Sequence, residues 1–181
     1  LRGGDRVTSP VVAAGEVFVA ATETHCVSAF DAGTGETCWT YRAGGRVQTA
    51  PTIFKGLCLF GSQDGWVYCL RAGDGQLVWR FRAAPVERRI LAFGQLESPW
   101  PIVGGVSIIN DLACFVAGRH PAADGGISVH VLDPVTGKTV WKKNIDQTNK
   151  PGGFAARFVI PEILVGDGKS IGVAYRTHVD P

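Results

Sequence analysis

Ala29-Phe30-Asp31-Ala32-Gly33-Thr34-Gly35-Glu36-Thr37-Cys38-Trp39 is the stretch on which the fold turns, because it comes back twice. The second copy is Cys69-Leu70-Arg71-Ala72-Gly73-Asp74-Gly75-Gln76-Leu77-Val78-Trp79. The third is Val131-Leu132-Asp133-Pro134-Val135-Thr136-Gly137-Lys138-Thr139-Val140-Trp141. An apolar residue, a polar turn, one glycine and one tryptophan stand at the same offsets in all three. Trp39, Trp79 and Trp141 lie 40 and then 62 positions apart, so the third unit follows an insertion. A period of this size marks a repeat architecture.

The segments upstream of the motif repeat as well. Pro10 to Val19 reads strand, turn, strand, and so does Pro51 to Phe60. Val106 to Val116 is a third copy, and Glu162 to Val173 opens a fourth. Gly and Asn-Asp turns separate the strands, as hairpin chemistry requires. Each unit thus holds four short strands in about 40 residues, the size of a propeller blade. The strands are nearly continuous apolar runs, as in Val17 to Ala21, so both their faces must be covered. Blades stacked on neighbours meet that need. The expected fold is all-β: a partial β-propeller of about three and a half antiparallel blades in a single domain, 1–181. The blades span approximately 6–42, 46–83 and 98–144, with an incomplete one over 158–181.

Composition agrees with a globular chain. It is 45% hydrophobic and 19% charged, with 24 Gly and 10 Pro among 181 residues. A net charge of +2 gives no reason to expect nucleic acid. No apolar run approaches the roughly 20 residues that cross a bilayer. The chain starts at Leu1 and has no Met, from which we expect a fragment of a larger protein, with the remaining blades outside it. Its five cysteines form no C-x-x-C pair and sit in strand-like runs, as small buried apolar residues do. A hairpin turning at Ser62 to Gly65 would place Cys58 opposite Cys69, where a cross-strand disulfide is geometrically conceivable.

The motif A-x-D-x-x-T-G-x-x-x-W resembles the tryptophan-docking motif of the PQQ-like, quinoprotein-type propeller repeats. The first copy matches at Ala29, Asp31, Thr34, Gly35 and Trp39. The second keeps Gly75 and Trp79, and the third keeps Asp133, Thr136, Gly137 and Trp141. The WD-repeat signature is absent. The resemblance implies that each Trp is a staple between adjacent blades. It also implies two kinds of activity. Quinoprotein dehydrogenases use pyrroloquinoline quinone and Ca²⁺ to oxidise alcohols or sugars. Their quinone stacks on a disulfide of adjacent cysteines, which this sequence lacks, and no convincing cluster of oxygen ligands for Ca²⁺ is visible. The other kind is similar to BamB, the propeller of the bacterial outer-membrane assembly machinery, which has no cofactor. The expectation is therefore a non-catalytic scaffold without a cofactor, binding a protein or a glycan at its loop face. The resemblance places it in the periplasm, the envelope or outside a bacterial cell. The alternative is a piece of a quinone- and Ca²⁺-dependent dehydrogenase.

Two insertions break the blade pattern, and long loops on a rigid scaffold are where function resides. One runs from Ala83 to Glu97; the other is Arg119 to Gly126, between the second and third strands of the third blade. Arg82, Arg88, Arg89 and Arg119 are candidates for a basic rim that takes carboxylate, sulfate or phosphate, with Arg157 on the same face. Glu97 and His120 are a candidate acid/base pair. Solvated loop charges and inter-blade ion pairs are the weightier expectation for these residues. No nucleophile elbow, phosphate-binding loop or dinucleotide fingerprint occurs.

Overall fold

The computed structural model describes residues 5–147 and the backbone of three later strands. Among these residues there is no helix. Blade 1 consists of β1 (Val11–Ala13), β2 (Glu16–Ala21), β3 (Cys26–Asp31) and β4 (Thr37–Arg42). Blade 2 consists of β5 (Thr52–Phe54), β6 (Leu57–Gly61), β7 (Trp66–Arg71) and β8 (Leu77–Arg82). A separate hairpin follows, β9 (Ile90–Ala92) and β10 (Gln95–Glu97). Blade 3 is β11 (Ser107–Ile109), β12 (Leu112–Ala117), β13 (Ile127–Leu132) and β14 (Thr139–Ile145). A last sheet holds β15 (Leu164–Gly166), β16 (Ile171–Val173) and β17 (Thr177–Val179). Every sheet is an antiparallel meander in chain order, as a propeller blade is.

Local chemistry explains the turns. Each blade opens with a two-residue hairpin loop, Ala14-Gly15, Lys55-Gly56 or Asn110-Asp111, with positive φ at both positions. That is the type I′ loop, whose twist matches paired strands. In the repeat motif the carboxylate of Asp31 accepts the backbone N–H groups of Gly33 and Thr34 at 2.9 and 2.7 Å. Asp133 does the same for Val135 and Thr136 at 2.9 and 2.8 Å. These bonds favour the ionised form and hold both carboxyls below their ordinary value. Blade 2 has Arg71 at this position. There Asp74 takes over, accepting from the guanidinium of Arg71 at 2.9 Å and from the N–H of Gln76 at 3.1 Å. The turn survives the departure from the motif because a different carboxylate organises it.

The core lies between the blades. Along β6, Cys58 and Phe60 pack with Phe18, Val27 and Trp39 of blade 1. The alternate residue Leu59 packs with Ala113, Phe115 and Leu132 of blade 3. This two-sided burial is why the middle strands β6 and β12 carry no polar face, whereas the outermost strands β4, β8 and β14 are largely exposed. The same alternation settles the cysteines. Cys58 pairs with Leu70, and Cys69 pairs with Leu59. Cys58 and Cys69 therefore face opposite sides of their sheet, and both thiols are free. The sequence-based placement of one opposite the other is off by one residue, and a one-residue slip exchanges every side chain's face.

The tryptophans are staples. The indole N–H of Trp39 donates to the carbonyl of Ala72 at 2.6 Å, and that of Trp79 to the carbonyl of Pro134 at 3.0 Å. Each indole lies on the motif glycine of the next blade. A Cβ added to Gly75 would stand 2.6 Å from the ring of Trp39, and one on Gly137 would stand 2.7 Å from that of Trp79. Gly35 has the same backbone conformation, but no described atom lies within 4 Å of its added Cβ.

Candidate functional site: the loop face

In a four-stranded meander the first and third turns fall at one end, and the second turn and the exit linker fall at the other. The linker from blade 2 to blade 3 and the second turn of blade 3 therefore share one end. The two insertions that the sequence places far apart meet there. The structure binds them together through Glu97. This carboxylate is fully buried and is held by the guanidinium of Arg119, with that of Arg46 at 3.7 Å. Arg46 also pairs with Glu23 at 3.4 Å and donates to the carbonyl of Phe93 at 3.1 Å. Gln95 contacts the Nε2 of His25 at 2.6 Å and donates to Glu23 at 3.1 Å. The hairpin β9–β10 thus reaches back over blade 1 while its last residue holds the loop of blade 3.

The rest of this face is similarly tied. The hydroxyl of Tyr68 donates to the buried Asp64 at 2.5 Å and accepts the N–H of Gly44 at 3.3 Å. Burial, and after it the charge of Asp64, push the Tyr68 phenol above its ordinary value, so it acts as a donor. The indole N–H of Trp100 donates to the carbonyl of Asp124 at 2.7 Å, joining the linker to the blade-3 loop. Beside these contacts lies a cavity of about 550 Å³, lined by Arg6, Arg46, Gln48, Gln63, Phe93 and Arg119 among others.

The residues singled out from the sequence part company here. Arg119 lines the cavity and Glu97 is the bolt behind it. Arg89 donates to the carbonyl of Gly44 at 3.4 Å, and Arg88 is exposed beside it. Arg82 lies 6.0 Å from the ring of Trp66, on the blade and not among the residues lining the cavity. The ring Nδ1 of His120 accepts the N–H of Ala122 at 3.0 Å, within its own loop. Glu97 pairs with Arg46 and Arg119. Arg157 lies outside the described residues. Sequence reading missed Arg46, Glu23, His25 and Gln63, which sit in ordinary short connections. The signal available was topological: each belongs to a second turn or an exit linker, and all of these share one end. It also missed the hairpin, although Phe93-Gly94 between two short alternating runs marks one.

A family profile described as outer membrane protein assembly factor BamB matches residues 2–159. No curated protein matches the chain. Solved structures similar to it include BamB from Moraxella catarrhalis, with TM-score 0.62, 15% identity, and 96% of this chain and 45% of that one covered. The quinohemoprotein alcohol dehydrogenase ADHIIG from Pseudomonas putida HK5 gives TM-score 0.63 and 22% identity over 76% of this chain and 20% of that one. The computationally designed Ika4 protein gives TM-score 0.65 and 16% identity over 98% of this chain and 91% of that one. The chain thus spans less than half of either natural protein, and at these identities the likeness is one of fold. With the matched profile, the repeated motif and the four-stranded blades together, the chain belongs to the PQQ-like repeat family of the outer membrane protein assembly factor BamB.

Proposed function

We propose that this chain is part of a larger bacterial propeller that acts as a non-catalytic scaffold, binding a protein or a glycan at its loop face in the periplasm or elsewhere in the envelope. The observation that carries this reading is the buried Glu97. Its ion pairs with Arg46 and Arg119 fix the two insertions to the blades, which supports a preformed surface and commits this carboxylate to structure. Gly35, over which no described atom lies, supports further blades, since the equivalent Gly75 and Gly137 each carry an indole from a neighbour. Cross-linking of the full-length protein in intact cells, with a glycan array alongside, tests the reading. A specific partner or glycan is expected, and failure to capture either refutes it.

The alternative is a quinone- and Ca²⁺-dependent alcohol or sugar dehydrogenase, favoured by the cavity of three arginines that would suit an anionic cofactor. The donor set fits poorly. Asp64 and Glu97 are the buried carboxylates among the described residues, and Tyr68, Arg46 and Arg119 already occupy them. Ca²⁺ takes six to eight oxygen ligands, and among the described residues no group of three or more His, Cys, Asp or Glu side chains gathers to supply them. The proposed protein uses neither group. Spectral change and dye reduction on adding the quinone and Ca²⁺ to the whole protein would reverse this.

A further inference from the structure

The hairpin β9–β10 is built inside out. Its alternation turns Gln95 and Glu97 toward the propeller and Leu91 and Leu96 toward solvent. Leu91 and Leu96 are directly paired and are 77% and 63% exposed. Phe93, at the turn, is 79% exposed. A half-solvated antiparallel hairpin normally buries its apolar side and shows its polar side to water. The inner side also carries Ile90 and Ala92, and the opposite facing would bury Leu91 and Leu96 while exposing those two with Gln95 and Glu97. The ion pairs of Glu97 and the contacts of Gln95 oppose it, so buried polar groups here hold three large apolar side chains in water.

The turn points the same way. Phe93 and Gly94 have φ of 48° and 75°, the two positions of a type I′ loop. Asn-Gly is the favoured pair there, and a bulky aromatic at positive φ is strained. Nothing in the core repays that strain: the ring is largely exposed, with the guanidinium of Arg119 5.8 Å from its centre. Phe93 instead forms a lip of the cavity that Arg6, Arg46 and Arg119 line. The three arginines are paired with two carboxylates, Glu23 and Glu97, so one further negative charge balances the group. Gln63, also lining the cavity, is 3% exposed, and its carbonyl oxygen has no partner among the described residues, an acceptor suited to an N–H and not to a carboxylate.

We propose that the hairpin and this cavity form one docking surface for a peptide segment of a partner protein, in which a carboxylate neighbours a large apolar side chain. The apolar side chain covers Phe93, Leu91 and Leu96, and the carboxylate enters the cavity against Arg6, Arg46 and Arg119. An exposed apolar group rimmed by charge is the usual mark of such a surface. The inference rests on the protein-binding reading above and narrows it to one surface and one ligand chemistry.

The test is selection of a random peptide library on the full chain, followed by binding of the enriched peptides to variants. Phe93→Asn is the informative change, because it relaxes the turn while removing the ring. It is expected to leave the melting temperature unchanged or raised and to weaken binding at least tenfold. Arg6→Gln, at a side chain 77% exposed, should weaken binding and reduce its salt dependence without affecting folding. Enriched peptides should carry Asp or Glu beside Leu, Ile, Phe or Trp. No enrichment, peptides without that pairing, or equal binding by Phe93→Asn and by Leu91→Ser/Leu96→Ser overturns the proposal. So does hairpin-dependent binding to phosphatidylglycerol vesicles without peptide binding. If cross-linking captures a partner equally with the Phe93→Asn protein, this surface is refuted and the scaffold reading stands. If the unaltered protein captures none, the scaffold reading itself fails.

Discussion

Replacing Gly75 or Gly137 with alanine, and comparing each with the same change at Gly35, isolates the energy with which one blade grips the next. The three glycines share a motif position and a φ of 75°, 69° and 69° in chain order. Alanine in that left-handed conformation costs about 1 kcal/mol at any of them. At Gly35 the cost ends there, because the new Cβ meets no described atom within 4 Å. At Gly75 the Cβ would lie 2.6 to 2.9 Å from three ring atoms of Trp39, so the indole must retreat by about 1 Å to ordinary contact. That retreat breaks the indole bond to Ala72, worth about 1 kcal/mol, and loosens packing worth about as much again. Gly137 should behave alike through Trp79 and Pro134. The expected loss is therefore about 3 kcal/mol at Gly75 or Gly137 and about 1 kcal/mol at Gly35. Urea unfolding of the 181-residue chain, followed by tryptophan fluorescence, would resolve the gap as a midpoint difference of about 1 M. Equal losses at all three positions would refute the docking argument and leave only a backbone effect.

Two further outcomes follow from buried groups. His130 is stacked on Phe115, bonded to Ser128 and pushed down to about 3, chiefly by burial and then by Lys142. It is neutral in the folded chain and takes up a proton near pH 6.5 once unfolded, so its contribution is complete above that pH and is lost as pH falls from 6.5 toward 3. The loss attributable to it by pH 5 is about 2 kcal/mol, and denaturant titrations of His130→Phe beside the unaltered chain should show a shallower acid limb by that amount. For the cysteines, alkylation of the native chain should modify the exposed Cys38 and spare Cys58, Cys69 and Cys114 until unfolding, since burial raises all three thiols. A Cys58–Cys69 linked peptide in an unreduced digest would contradict the register of β6 on β7.

Much of the fold is legible in the chain because its determinants are local and repeated. Two-residue loops such as Lys55-Gly56, the carboxylate-organised turns at Asp31 and Asp133, and the recurring Trp each act within one blade or on the next. Both insertions are visible too, as breaks in the period. For the insertions, ion pairs are the weightier expectation over an acid/base pair, and the structure places Glu97 between two arginines and has His120 accept the N–H of Ala122. Leu91, Phe93 and Leu96, on which the sequence reading places no expectation, are exposed. Arg46, Glu23 and His25, which hold Glu97 and Gln95 from the far side, come from blade 1 and its exit linker some 50 to 70 positions earlier, and Arg119 comes from the other insertion. By itself the sequence determines a run of propeller blades and their staples, because backbone turns and nearest-neighbour packing need no distant information. Which end the insertions share, which face of the hairpin meets water and which thiols face apart were decided only by tertiary structure. Those depend on strand parity and on charges brought together from different blades.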